Sequence, residues 1–186
     1  MKKLAALMLT LLMLTGCSKT RDMLDRAMTL RASLLACESC TFDAAITADY
    51  GDEIHTFEMQ CDGDNDGNLE FRVTKPETIA GITGVISAGE GKLAFDDTAV
   101  AFPLLAEGQV TPVSAPWILM KTLMGGYLTA CNEEDGLIHL MINDSYADDA
   151  LELEIWLDRE SHPIQAEIGY EGRRILTMEI ENFQIQ

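Results

Sequence analysis

Phe42-Asp43-Ala44-Ala45-Ile46-Thr47-Ala48-Asp49-Tyr50 is the stretch whose reading decides the fold. Phe42, Ala44, Ile46, Ala48 and Tyr50 alternate with Asp43, Thr47 and Asp49, the period of a strand with one dry face and one wet face. Outward from it the same rhythm returns in Phe57-Met59-Cys61, Leu69-Phe71-Val73 and Ile138-Leu140-Ile142. It returns again in Leu151 to Leu157, Ile164 to Tyr170 and Leu176 to Ile180. Turn residues punctuate these runs at Gly51-Asp52, Asp62 to Gly67, Gly89 to Gly91, Asp96-Asp97, Asp148-Asp149 and Glu171-Gly172. Short connections between alternating strands predict antiparallel hairpins, and strands with no helices between them exclude a doubly wound α/β fold.

Two segments depart from period two. Met23, Ala27, Leu30 and Leu34 recur at helical spacing, with Leu24, Met28 and Leu35 widening the stripe, so an amphipathic helix is expected from Met23 to about Ala36. Ser114-Ala115-Pro116 offers a helix start, and Trp117 to Leu128 is apolar at nearly every position apart from Lys121, Thr122 and the Gly125-Gly126 pair. Such a helix must be covered on most sides. It is either a core helix packed on the sheet or one lying in a curled sheet's concavity, with Met120 and Met124 as an adaptable surface and the glycines as a hinge.

The 186 residues carry a formal charge of −18, with Lys and Arg scattered, which argues against nucleic-acid binding. Met1-Lys2-Lys3 and the apolar run Leu4 to Thr15 have the form of a signal peptide, and Leu14-Thr15-Gly16-Cys17 resembles the lipobox of bacterial lipoproteins. The expected organisation is a cleaved leader over 1–16, a lipidated polar tether over 17–22 and a single domain over 23–186. Cys17 would carry the acyl chains, palmitate or a similar lipid. The protein is then exported and anchored at the outer side of a membrane.

The N-terminal helix, the Phe42 to Tyr50 strand, the hairpin entering Phe71-Arg72-Val73-Thr74-Lys75-Pro76-Glu77-Thr78-Ile79-Ala80-Gly81-Ile82, the Gly91 to Asp96 strand and the Pro116 to Leu128 helix occur in the order of the LolA-like lipoprotein carrier superfamily, which the chain resembles over nearly all its mature length. The resemblance implies a mainly β (α+β) fold: a strongly curved antiparallel sheet, nearly a half-barrel, with an N-terminal helix and a helix covering the concave apolar face. It implies sequestration of acyl chains or another hydrophobic ligand. The chain departs from the soluble carrier in its lipobox and in lacking an evident concave-face arginine to latch a lid, since Arg72 alternates with Leu69, Phe71 and Val73. The spore-germination lipoproteins of anaerobic bacteria share this look; they imply instead a module that binds and supports a cell-wall amidase.

Candidate chemistry is sparse. Cys37, Cys40, Cys61 and Cys131 are expected as disulfides or buried thiols; a four-cysteine zinc site lacks the second CxxC knuckle and Cys37-Glu38-Ser39-Cys40 lacks the context of a redox motif. Asp62, Asp64 and Asp66 match the first half of a calcium loop, but Val73 stands where a bidentate Glu is needed, so a hairpin turn is favoured over weak calcium binding. His55, His139 and His162 are far apart and read as surface or strand-face residues. No constellation supplies a nucleophile, its base and an oxyanion site, so neither enzymatic activity nor a cofactor is expected.

The first expectation is a tethered protein that holds a lipid or other hydrophobic ligand in a groove lined by Phe42, Ile46, Tyr50, Phe57, Met59, Phe71, Leu93 and Phe95 and covered by Trp117, Met120 and Met124. The alternative is an interaction module for a cell-envelope enzyme, its groove plugged by its own helix. An open cavity above about 300 Å³ favours the first, and continuous filling by the Trp117 helix favours the second.

Overall fold

A computed structural model describes residues 16–51, 53–87, 90–95, 98–103, 105–106 and 109–186. The leader expected over 1–16 lies, apart from Gly16, outside the described residues. Helix α1 spans Gly16–Ala36. Then come strands β1 (Cys40–Asp49), β2 (Ile54–Gly63), β3 (Leu69–Lys75), β4 (Thr83–Ser87), β5 (Glu90–Phe95) and β6 (Thr98–Pro103). A small hairpin, β7 (Leu105–Ala106) with β8 (Gln109–Val110), precedes helix α2 (Ala115–Gly125). The chain closes with β9 (Tyr127–Glu134), β10 (Leu137–Asn143), β11 (Glu152–Leu157), β12 (Pro163–Tyr170) and β13 (Arg173–Ile185).

Among the described residues, eleven strands form one antiparallel sheet in the order β6-β5-β4-β3-β2-β1-β13-β12-β11-β10-β9. Two meanders are thus joined by the pairing of β1 with β13, in which Ala44 faces Ile180 and Ile46 faces Met178. The alternation read from the sequence is the alternation of burial. Along β1 the residues Phe42, Ala44, Ile46 and Ala48 are buried and their neighbours are not. Tyr50 falls just outside the strand.

The sheet is curved and unclosed. On a flat sheet β2 and β10, five places apart, would be separated by about 24 Å, yet α2, about 16 Å long, contacts both because the sheet curls towards it. Small Ala44 and Ala48 alternating with large Phe42 and Ile46 suit the concave side, where inward side chains crowd. Met23, Ala27, Leu30 and Leu34 of α1 are buried in the same core, as their spacing predicts.

Two boundaries differ from expectation. Helix α1 starts at Gly16, so the backbone of residues 17–22, expected as a polar tether, is helical; Thr20 to Asp22 are exposed, and Met23 is the first buried side chain among the described residues. Helix α2 ends at Gly125 instead of Leu128, because Gly126 is extended (φ −70°, ψ 166°) and Tyr127 already begins β9. Gly126 is demanded by close approach and not as a hinge: a Cβ there would stand 2.6 Å from Ile142 Cγ2 and 2.7 Å from the Thr122 carbonyl oxygen. Ser114 lies in a 3-10 turn (Pro112–Ser114), its hydroxyl donating to the Thr111 carbonyl at 2.6 Å, and so does not cap α2 through its side chain.

Candidate functional site

The structure brings most of the predicted groove residues into one apolar core. Phe42, Ile46, Phe57, Met59 and Phe71 are buried on the sheet's concave side with Met120 of α2, while Leu93, Tyr50, Trp117 and Met124 are half-buried against them. The Tyr50 hydroxyl donates to the Val110 carbonyl at 3.2 Å. Burial raises the pKa of that phenol. Phe71 packs over its cross-strand partner Gly84, where a Cβ would meet the ring at 2.3 Å, so the glycine makes room for the aromatic. The side chain of Phe95 lies outside the described residues.

Helix α2 fills the concavity. Ile118, Leu119, Met120 and Leu123 are buried, Leu119 completely, and Met120 Cε stands 3.4 Å from the place a Cβ on Gly63 would take. Trp117 reaches the β2–β3 turn, where its indole Nε1 donates to the Gly67 carbonyl at 2.9 Å, and Lys121 lies over its ring at 5.1 Å. One polar atom is sealed in: the Thr122 hydroxyl is buried without a hydrogen-bond partner.

What holds α2 at its C-terminal end is an arginine the sequence reading missed. Arg31 of α1 donates from Nε to the Leu123 carbonyl at 2.7 Å and from Nη2 to the Gly126 carbonyl at 2.9 Å, with Thr122 O at 3.4 Å. The last carbonyls of a helix have no partner within it, and a cation there also meets the negative end of the helix dipole. Burial pushes the Arg31 pKa down, the expected effect of moving a cation out of water. Arg72 is exposed on the other face, as predicted, and the arginine that meets the end of α2 comes from α1 and not from the concave face of the sheet. A second arginine, Arg26, ties α1 to the β11–β12 turn through the carbonyls of Asp158 (3.0 Å) and Arg159 (2.6 Å) and the Ser161 hydroxyl (3.1 Å).

The largest described cavity, about 750 Å³, is not in the concavity. It is an open depression on the sheet's outer, polar face, walled by Gln60, Glu70, Arg72, Lys92 and Gln184, with the buried Phe42 and Phe71 beneath and Leu93 at its border. Asp62 and Glu70 oppose each other there across β2 and β3. Trp117, Met120 and Met124 take no part in it.

The remaining candidates resolve into structural roles. Asp64 closes the β2–β3 turn: its Oδ1 accepts from the backbone N–H of Asp66 and Asn68, both at 2.9 Å, and its Oδ2 from the Asn68 side chain at 2.8 Å. Burial alone would raise its pKa; the donors of Asn68, Asp66 and Gly67 outweigh this and hold it low. Asp62 and Asp66 do not join it, and among the described residues no group of three His, Cys, Asp or Glu side chains is arranged to hold a metal ion. The four cysteines stand as free thiols, three of them buried. Burial, then the neighbouring Cys37 and Asp62, push Cys40 up to about 12, and Cys61 is raised for the same chief reason. Such thiols are protonated and inert near neutral pH.

His139 is less exposed than a surface reading implies. On the outer face it stacks on its cross-strand partner Trp156, rings 4.6 Å apart and 8° from parallel. Glu134 accepts from Trp156 Nε1 at 2.9 Å and lies 3.3 Å from His139 Nδ1, while Glu154 approaches Nε2 at 2.8 Å. The last approach is close but does not meet the geometry of an aligned hydrogen bond. His55 and His162 sit beside Glu53 and Asp158 at the surface. In none of these clusters does a hydroxyl or thiol nucleophile meet the imidazole.

No protein-family model matches the chain, and no curated protein matches its sequence. Solved structures do resemble it. A LolA superfamily protein from Nitrosomonas europaea is 10% identical, with 86% of this chain and 93% of that one covered and a TM-score of 0.48. A putative outer membrane lipoprotein-sorting protein domain from Vibrio parahaemolyticus is 10% identical over 90% and 93%, with a TM-score of 0.49. The Mycobacterium tuberculosis lipoprotein LppX is 11% identical over 88% and 95%, with a TM-score of 0.43.

Proposed function

We propose that this chain is an exported lipoprotein, anchored through an acylated Cys17, that works as a non-enzymatic binding module for a protein of the cell envelope. The carrying observation is the filling of the half-barrel by α2. With Leu119 fully enclosed and Ile118, Met120 and Leu123 buried beside it, the concave face already has its apolar partner, so a bound lipid is not needed to complete the core. The open depression on the outer face, with polar side chains around an apolar floor, gives a partner a concave place to dock. The test is site-specific photo-crosslinking in the intact cell from residues around that depression, such as Gln60 or Lys92. One envelope protein captured there, and captured again reciprocally, supports the reading; acyl lipid captured from Met120 while the depression gives nothing overturns it.

A second reading, a hydrophobic-ligand carrier, is favoured by one feature. The C-terminal end of α2 is held to α1 by Arg31, and such a contact can be undone without unfolding the sheet. In that reading α2 swings out and a ligand takes its place against Phe42, Ile46, Met59 and Phe71.

A further inference from the structure

Helix α1 carries two parallel stripes, of which only one is used by the core. Met23, Ala27, Leu30 and Leu34 face the sheet. One position on, Cys17, Arg21, Leu24, Met28, Arg31 and Leu35 follow at i, i+4, i+7, i+11, i+14 and i+18, which places them on one face of a helix turning about 100° per residue. On that face Leu24 is 38% exposed, Met28 45% and Leu35 52%. Its charged residues are Arg21 and Arg31, with no carboxylate, in a protein whose formal charge is −18. Because α1 runs unbroken through Cys17, no flexible spacer separates that residue from the body; Met23, the first buried side chain, stands about 9 Å further along the axis.

We infer that α1 lies along the membrane surface on this stripe, so that the domain is held against the bilayer in one fixed orientation. The inference rests on the acylation of Cys17 proposed above. An acyl anchor at the start of α1 brings the helix to the bilayer, where the exposed Leu24, Met28 and Leu35 enter the headgroup boundary. Arg21, exposed on the same side, then meets anionic headgroups, where the rest of so acidic a body would be repelled, while Arg31 stays on the end of α2. The stripe is too short and too interrupted for a span: among the described residues no helix is long and apolar enough to cross a membrane. Partners of the module must then approach from the solvent side, at membrane height.

The test uses the anchored protein, purified from membranes and reconstituted in vesicles of phosphatidylcholine and phosphatidylglycerol containing a shallow doxyl-labelled lipid. An environment-sensitive fluorophore is placed in turn at Met28→Cys, Leu35→Cys and Val100→Cys in a Cys131→Ser background, the other native thiols being buried. Val100 is exposed on β6, at the edge of the sheet opposite the β9 edge that α1 contacts. The expected result is quenching of about twofold or more at both Met28 and Leu35 and none at Val100. Equal, weak quenching at Leu35 and Val100, with Cys17 acylated by mass spectrometry, overturns the inference and leaves the lipoprotein reading intact. An unacylated Cys17 in membrane-free protein overturns both.

Discussion

Replacing Leu119 by Ala separates a plug from a lid. Leu119 is fully enclosed near the middle of α2, among Ile118, Met120 and Leu123, with the inward side chains of the sheet against it. If α2 is core, the substitution removes a buried isobutyl group and leaves a cavity that rigid strands on both sides cannot collapse. Fully buried Leu→Ala changes cost about 3–5 kcal/mol, a third or more of the stability of an ordinary domain. For a chain of this size that lowers Tm by about 6–20 °C. If α2 only covered an unfilled groove, the lost contacts would be one-sided and the cost below about 1 kcal/mol. The assay is urea unfolding followed by far-UV circular dichroism, comparing midpoint and slope. A midpoint shift equivalent to at least about 3 kcal/mol with an unchanged slope is expected. A shift below about 1 kcal/mol would refute the reasoning that α2 is part of the core.

Arg31→Met removes the donors to Leu123 and Gly126 and should cost about 1–2 kcal/mol, with faster amide exchange confined to α2 and the start of β9. Thr122→Val replaces the sealed, unpaired hydroxyl by a methyl group of like size; a gain of about 1 kcal/mol in the same unfolding assay is expected, and a loss would mean the hydroxyl has a partner. Asp64 has a depressed pKa, so its contribution is complete above the unfolded carboxylate value of about 4 and is lost as pH falls through the lower folded value. Asp64→Asn should therefore flatten the fall in stability below about pH 4 and cost stability at neutral pH. Cys40 and Cys61, held protonated by burial, should resist iodoacetamide at about pH 8 in the native protein and react fully in denaturant; because their folded pKa values are raised, they favour folding below about pH 8.5, and that stability is lost as pH rises towards the folded values.

Period-two patterning was a good guide where a strand has one dry face. β1, β3, β10 and β11 alternate in burial as they alternate in sequence, and β12 does so from Ala166 to Ile168. It failed at β9, whose residues are exposed or half-buried throughout because it is an edge strand, so Tyr127 and Leu128 read as a continuation of the apolar helix before them. The start of α1 was hidden for a related reason: Ser18 to Asp22 carry no apolar period, and Thr20 to Asp22 are exposed. Arg31 could not be found from local pattern, since its partners lie more than ninety positions away and a surface arginine at that helical position looks the same. The stacking of His139 on Trp156 depends on the register of β10 against β11, which alternation alone does not fix. The inward residues were legible as apolar, but apolar residues line a groove and a core alike; the burial of α2 decided between them.

Native mass spectrometry of the anchored protein, released gently from detergent and followed by solvent extraction, tests the filled half-barrel most directly. The account predicts the mass of the chain with its acylated Cys17 and nothing more, unchanged after incubation with phospholipid or fatty acid. A second acyl lipid bound near one to one, and lost when Met120 is replaced by a bulkier Trp, would contradict it and make α2 a gate.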